Sequence, residues 1–107
     1  MKIDYSQARS AQAVEDDTRT DLKAKAKDAC RRRITTVMSA SALLNLAADA
    51  ASGALGTVDM QAYAKWRAWV KEMRATWPRL AAPNMDPSID GYWPVLPQSV
   101  TALARKY

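Results

Sequence analysis

The first half of the chain carries an apolar pattern with the spacing of an α-helix. From about Ser6 to Ser52 there is no Gly or Pro, and helix-favouring residues dominate. Apolar or small residues recur at steps of three and four, which mark one face of a helix: Leu22, Ala26, Ala29, Cys30, Ile34, Val37, Ser41, Leu44, Ala48 and Ala51. This pattern predicts one long helix, unbroken or broken, with a face close to a heptad seam. Residues 1–21 hold few apolar side chains and are expected to form an N-terminal arm or the start of a helix.

A second helical pattern follows a glycine turn at 53–57. Gly53 and Gly56 can supply a helix C-cap and a chain reversal, Thr57 is a suitable N-cap, and Asp59 falls in the first turn. The predicted helix runs from Val58 to about Thr76, because a proline follows Trp77 and disfavours the helical conformation there. The two helices are therefore expected to be antiparallel neighbours within residues 22–77.

The last part of the chain, residues 78–107, has a different composition. All five prolines fall within residues 78–98, at positions 78, 83, 87, 94 and 97, which excludes a helix or a central strand there. Residues 98–107 are compatible with one final helical turn or two. The whole sequence predicts an all-α fold: a helical hairpin with a long first helix, followed by a Pro-rich extended C-terminal segment.

Composition excludes most catalytic chemistry. The chain has no His, one Cys and three Gly, so a histidine base, a CxxC zinc site, a P-loop and a dinucleotide fingerprint cannot be written. We expect a non-enzymatic protein with no cofactor and no metal. The stretch Ile34–Ala48 is too short and too polar to span a bilayer, and the N-terminus lacks the apolar region of a signal peptide. These features predict no membrane partner and fit a cytoplasmic protein.

The aromatic residues are the strongest indication of a binding surface. Val, Ile and Leu together number 17 and Ala numbers 21, whereas Trp and Tyr number eight. One Ala-rich helix offers little bulk to cover four Trp side chains, so the aromatic stripe is either helix–helix core or a face that binds a partner. The candidate partner-binding residues are Tyr63, Trp66, Trp69, Val70, Met73, Trp77, Tyr92, Trp93, Val95 and Leu96.

The net charge of +5 is concentrated in residues 22–33 and 58–80. Six cations in the first of these stretches spread around much of a helix, which favours a solvated surface over a phosphate-binding stripe: Lys23, Lys25, Lys27, Arg31, Arg32 and Arg33. Acidic residues of a partner, or of a neighbouring copy, are a second possible target of this block. Nucleic acid is not the expected partner. The aromatic residues lie far along the chain from this basic block, so the sequence shows no platform on which bases would stack beside the cations.

The layout resembles the C-terminal region of bacteriophage tail fibre assembly proteins, the tail fibre chaperones. The similarity covers roughly residues 28 to 97. It is carried by four short stretches: Arg31-Arg32-Arg33-Ile34, Thr57-Val58-Asp59, Trp66-Arg67-Ala68-Trp69 and Asp90-Gly91-Tyr92-Trp93-Pro94-Val95-Leu96-Pro97. The β-rich N-terminal portion usual in that family has no counterpart before Ser6.

The resemblance implies a phage tail protein that binds a tail fibre or baseplate protein in the host cytoplasm during assembly. The partner would pack against the Trp-rich second helix and the WPVLP segment. The chain would then either leave the particle as a chaperone or stay in the virion tail. Two rivals remain open: a small basic helical nucleic-acid-binding regulator, and a structural homo-oligomer built on the Ala-rich seam.

Overall fold

Four α-helices and one short 3₁₀ helix make up the described part of the chain. The structure is a computed structural model and describes residues 11–107, with side-chain surroundings from Val14 onwards. In chain order, α1 is Ala11–Val37, α2 is Ala40–Ser52, α3 is Thr57–Leu80 and α4 is Gln98–Ala104, with the 3₁₀ helix at Asp90–Tyr92. None of the described residues forms a β-strand, and the all-α prediction is confirmed. Of the predicted N-terminal arm, residues 1–10 lie outside the described residues, and the remainder forms the first turns of α1.

The first predicted helix is divided in two at Ser39. The Ser39 Oγ accepts a hydrogen bond from the backbone N–H of Ala42 at 3.1 Å, with Ser39 in an extended conformation, so it is the N-cap of α2. Because α2 leaves the direction of α1 by 62°, the predicted seam does not continue from one helix to the other. Leu44 is consequently 73% exposed, and α2 buries Leu46 instead.

The glycine turn forms at the predicted place. Gly53 ends α2 in the left-handed conformation at φ 75°, where a side chain would be strained. Gly56, not Thr57, is the N-cap of α3, and Asp59 lies in the first turn as predicted. Arg74, late in α3, is close enough to Cys30 of α1 for its charge to influence the pKa of the thiol. Tyr63, earlier in α3, lines a groove with Leu43 of α2. The chain of α3 therefore runs back along the preceding helices in the opposite direction.

The end of α3 differs from the prediction. The helix continues through Pro78 to Leu80, three residues beyond Trp77. Pro78 cannot donate a backbone hydrogen bond to the carbonyl of Arg74, and its ring crowds the same carbonyl, so it weakens the helix locally. Leu80 is 3% exposed, so burying its side chain offsets this local loss and keeps the last turn helical.

The core is centred on α3, which packs against α1 and α4. Its buried apolar residues are Ala26, Cys30, Met38, Leu46, Ala62, Trp66, Trp69, Met73, Leu80, Trp93, Val100 and Leu103. The described chain measures 75 × 27 × 17 Å. The first turns of α1 contribute to this elongation because they extend beyond the helices that pack together. Every residue from Val14 to Asp21 is exposed.

Candidate functional site

The C-terminal segment, defined here as residues 81–97, is fixed onto the helices by two tryptophans. Trp93 is 6% exposed and donates its Nε1–H to the Pro87 carbonyl at 2.8 Å. Trp69, on α3, donates its Nε1–H to the Pro94 carbonyl at 3.2 Å. Each indole therefore buries its ring and still satisfies its polar atom. The segment contains no α-helix and consists of extended chain, turns and the 3₁₀ helix, and it is bound to the chain's own helices.

Arg33 joins α1 to the same segment. Its guanidinium forms an ion pair with Asp90 at 2.8 Å and donates to the carbonyls of Pro87 and Ser88 at 3.3 and 3.2 Å. Its Cζ also lies 5.2 Å from the centroid of the Trp93 ring, within cation–π distance. A planar group with five donors suits several acceptors at once, which Lys could not match. Arg33 is thus a main contact between α1 and the C-terminal segment.

A tight turn precedes the 3₁₀ helix. The Asp86 Oδ1 accepts hydrogen bonds from the backbone N–H of Ser88 at 2.9 Å and from its hydroxyl at 2.7 Å. These bonds favour the ionised carboxylate and hold the pKa of Asp86 below its ordinary value. The turn fixes the start of the segment, as expected for an Asp side chain that bonds to a backbone N–H two residues on.

Three large apolar residues of this fixed segment point into solvent. Ile89 is 44% exposed, Tyr92 is 42% exposed and Val95 is 89% exposed. They follow one another at steps of three, and the backbone N–H of Tyr92 donates to the Ile89 carbonyl at 3.3 Å across the 3₁₀ turn. We call these three residues the exposed ridge.

The predicted partner-binding residues fall into three groups. Trp66, Trp69, Met73 and Trp93 are buried in the core of this chain, so they are not part of an exposed surface. Three of the four tryptophans are therefore covered within this chain, and the C-terminal segment contributes to that cover through its contacts with Trp69 and Trp93. The half-buried residues are Tyr63, Val70, Trp77 and Leu96.

The third group is Tyr92 and Val95, which lie on the exposed ridge. Of the ten candidates, these two are the ones most open to another protein. Their role in binding stays a prediction.

The basic block of α1 is partly neutralised inside the chain. Arg31 donates to Asp28 at 2.6 Å, and Arg32 forms an ion pair with the same carboxylate. The two arginines hold the pKa of Asp28 below its ordinary value. Cys30 is 3% exposed, and burial raises the pKa of its thiol. Cys30, which the apolar spacing places on the buried face of the first helix, therefore lies in the core.

The last residues of the chain hold α4 in place. Lys106 Nζ forms an ion pair with Asp59 at 3.0 Å, at the start of α3. The Tyr107 hydroxyl donates to Asp49 of α2 at 2.6 Å, and this hydrogen bond raises the pKa of Tyr107 to about 12. Together these contacts connect α4 to both α2 and α3.

Sequence reasoning missed three features of the site. Ser39 carried a signal, since a Ser before an Ala-Leu-rich run is a typical N-cap. Ile89 was not among the candidate residues, although it is an apolar residue three positions before Tyr92. The ion pair between Arg33 and Asp90 joins residues 57 positions apart, and no local sequence pattern predicts it.

Comparisons of the chain with protein-family models, with curated proteins and with solved structures gave no match. Among the described residues, no group of three or more His, Cys, Asp or Glu is placed to hold a metal ion. No single helix in that part of the chain is long and apolar enough to cross a membrane. The bent pair Val14–Val37 and Ala40–Ser52 meets the requirement of length and composition only when both halves are counted.

Proposed function

We propose that this chain is a non-enzymatic bacteriophage tail protein that binds a tail fibre or baseplate protein during tail fibre assembly. The resemblance of residues 28–97 to tail fibre chaperones supplies the class of partner. The observation that carries a binding role is the exposed ridge: three apolar side chains presented on a segment that is itself fixed by Trp69, Trp93 and Arg33.

A fixed segment suits this role because docking then costs little conformational entropy. Pro94 and Pro97 restrict the backbone on either side of Val95, and the Trp69 indole holds the carbonyl of Pro94. A free loop carrying the same residues would have to be ordered at the moment of binding. The gain from burying Val95, whose side chain is almost fully exposed, is therefore retained in the binding free energy.

The charge distribution favours a protein partner over nucleic acid. Arg31 and Arg32 share Asp28, and Arg33 is paired with Asp90. Half of the basic block thus already has carboxylate partners. Phosphate binding would weaken steeply with salt, whereas docking of the exposed ridge would change little.

Co-expression tests the proposal directly. The chain is expressed in turn with each fibre and baseplate protein encoded by the same genome, and the pairs are passed over a size-exclusion column at low and at high salt. We expect one such protein to form a complex that survives high salt. If none forms a complex, or if the only complex contains nucleic acid and dissociates in salt, the proposal is wrong.

A further inference from the structure

A second surface lies between α2 and α3 and includes no residue of the C-terminal segment or the exposed ridge. It is an open groove of about 1020 Å³, which we call the α2–α3 groove. From α2 it is lined by Ala40, Leu43, Leu44 and Ala47, which follow one another at the i, i+3, i+4 and i+7 positions of a helix face. Ile34 of α1 borders it as well.

The facing wall of the groove belongs to α3. Tyr63, Trp66 and Val70 line it, again at helical steps of three and four. Trp66 is buried, whereas Tyr63 and Val70 are half-buried, and Leu44 opposite them is 73% exposed. Two helices therefore turn apolar stripes toward a space that the described residues do not fill.

The rim of the groove is basic. Arg67, Lys71 and Arg74 line it at the i, i+4 and i+7 positions of α3. No carboxylate lines the groove, and none of the three cations has a hydrogen-bond or ion-pair partner among residues 11–107. An occupant that brings apolar side chains to the floor and carboxylates to this edge would satisfy both parts of the surface.

We propose that the α2–α3 groove binds an amphipathic helix of a partner protein, with an apolar stripe flanked on one side by acidic residues. The stripe from Ala40 to Ala47 is about 11 Å long at 1.5 Å per residue, which two to three turns of a helix would cover. This inference does not depend on the identity of the partner proposed above.

A second copy of this chain fits less well. Two grooves packed face to face would bring their basic rims together, which is unfavourable. The acidic start of α1 at Glu15–Asp17 has a suitable charge, but Val14 is the one large aliphatic residue there before Leu22. That stretch cannot fill the space opposite Leu44.

A displayed library of helical peptides, randomised at surface positions and selected on the whole chain, identifies what the groove prefers. We expect the selected peptides to combine apolar residues at steps of three and four with Asp or Glu on one flank. Fluorescence anisotropy of a labelled selected peptide then measures its affinity for variants of the chain.

Leu44→Ser should lower the affinity for the peptide about tenfold, because apolar burial is lost. Lys71→Glu should lower that affinity about fivefold or more at low salt, because a favourable charge is reversed. Val58→Ser and Lys65→Glu, exposed changes on α3 outside the groove, should leave its affinity unchanged, and circular dichroism should show all four variants folded. The proposal would be overturned if the selection enriched no peptide, or only peptides without acidic residues. It would also be overturned if Leu44→Ser bound the peptide as tightly as the natural chain does. A chain that dimerises through Leu44 and selects no peptide would identify a second copy as the occupant and would overturn it too.

Discussion

Arg33 should contribute far more to stability than the arginine two positions before it, although both belong to the same basic block. The perturbation is Arg33→Ala, with Arg31→Ala as the matched control. Arg33 contacts Asp90, two backbone carbonyls and the Trp93 ring, and its side chain is 27% exposed. Arg31 contacts Asp28 alone and is 69% exposed.

The magnitude follows from these contacts. The Asp90 side chain is 92% exposed, so its ion pair is screened and contributes about 0.5 kcal/mol. Each hydrogen bond to a carbonyl contributes about 1 kcal/mol, and a partly exposed cation–π contact contributes about 0.5–1 kcal/mol. We expect Arg33→Ala to lower the free energy of unfolding by about 3 kcal/mol, and Arg31→Ala by about 0.5 kcal/mol or less.

Urea denaturation followed by tryptophan fluorescence measures this difference. Domains of this size have a free energy of unfolding of about 5–15 kcal/mol, so a loss of this size shifts the urea midpoint clearly. Arg33→Lys keeps the charge and loses the fork of donors, so its loss should fall between those of the two alanine variants. Equal shifts of the urea midpoint in Arg33→Ala and Arg31→Ala would refute the role assigned to Arg33.

Three further predictions concern single side chains. The hydrogen bond to Asp49 raises the pKa of Tyr107 from 10.0 to about 12, so its contribution to stability is complete below pH 10 and is lost as the pH rises toward 12. Tyr107→Phe should abolish the highest-pH step of the phenol absorbance titration; persistence of that step would contradict the assignment. Burial and a raised pKa should make Cys30 react with a thiol reagent much more slowly in the native protein than in urea, and equal rates would show that the thiol is accessible. Ser39→Ala should lower the free energy of unfolding by about 1 kcal/mol, measured by thermal unfolding, because α2 loses its N-cap. Ser41→Ala should be near neutral. Equal effects of the two changes would exclude the Ser39 cap as the cause of the break between α1 and α2.

The helices were predictable because their signals are local. Spacing of apolar residues placed α1 and α3, and the turn at Gly53 needed only the left-handed conformation that glycine adopts easily. The extension of α3 past Pro78 was not predictable in this way. Local sterics favour an earlier end, and the burial of Leu80 by distant residues outweighs them.

The candidate site was predictable in composition and less so in geometry. The sequence indicated that Trp93 and its neighbours would dock, but a stripe on one helix does not state which side chains become core. Trp69 is hydrogen-bonded to Pro94, 25 positions further along the chain, and α2 turns away from α1 at Ser39. Both outcomes depend on tertiary packing, which the 3.6-residue period does not encode.

The most direct test of the account is the affinity of the chain for its fibre or baseplate partner when the exposed ridge is made polar. Isothermal titration calorimetry compares the natural chain, the double variant Tyr92→Ser with Val95→Ser, and Val58→Ser, which changes a 75% exposed valine on α3. We predict that the double variant binds at least about tenfold more weakly, with unchanged helix content, while Val58→Ser binds like the natural chain. Unchanged affinity of the double variant would contradict the claim that the exposed ridge is the surface through which this protein binds.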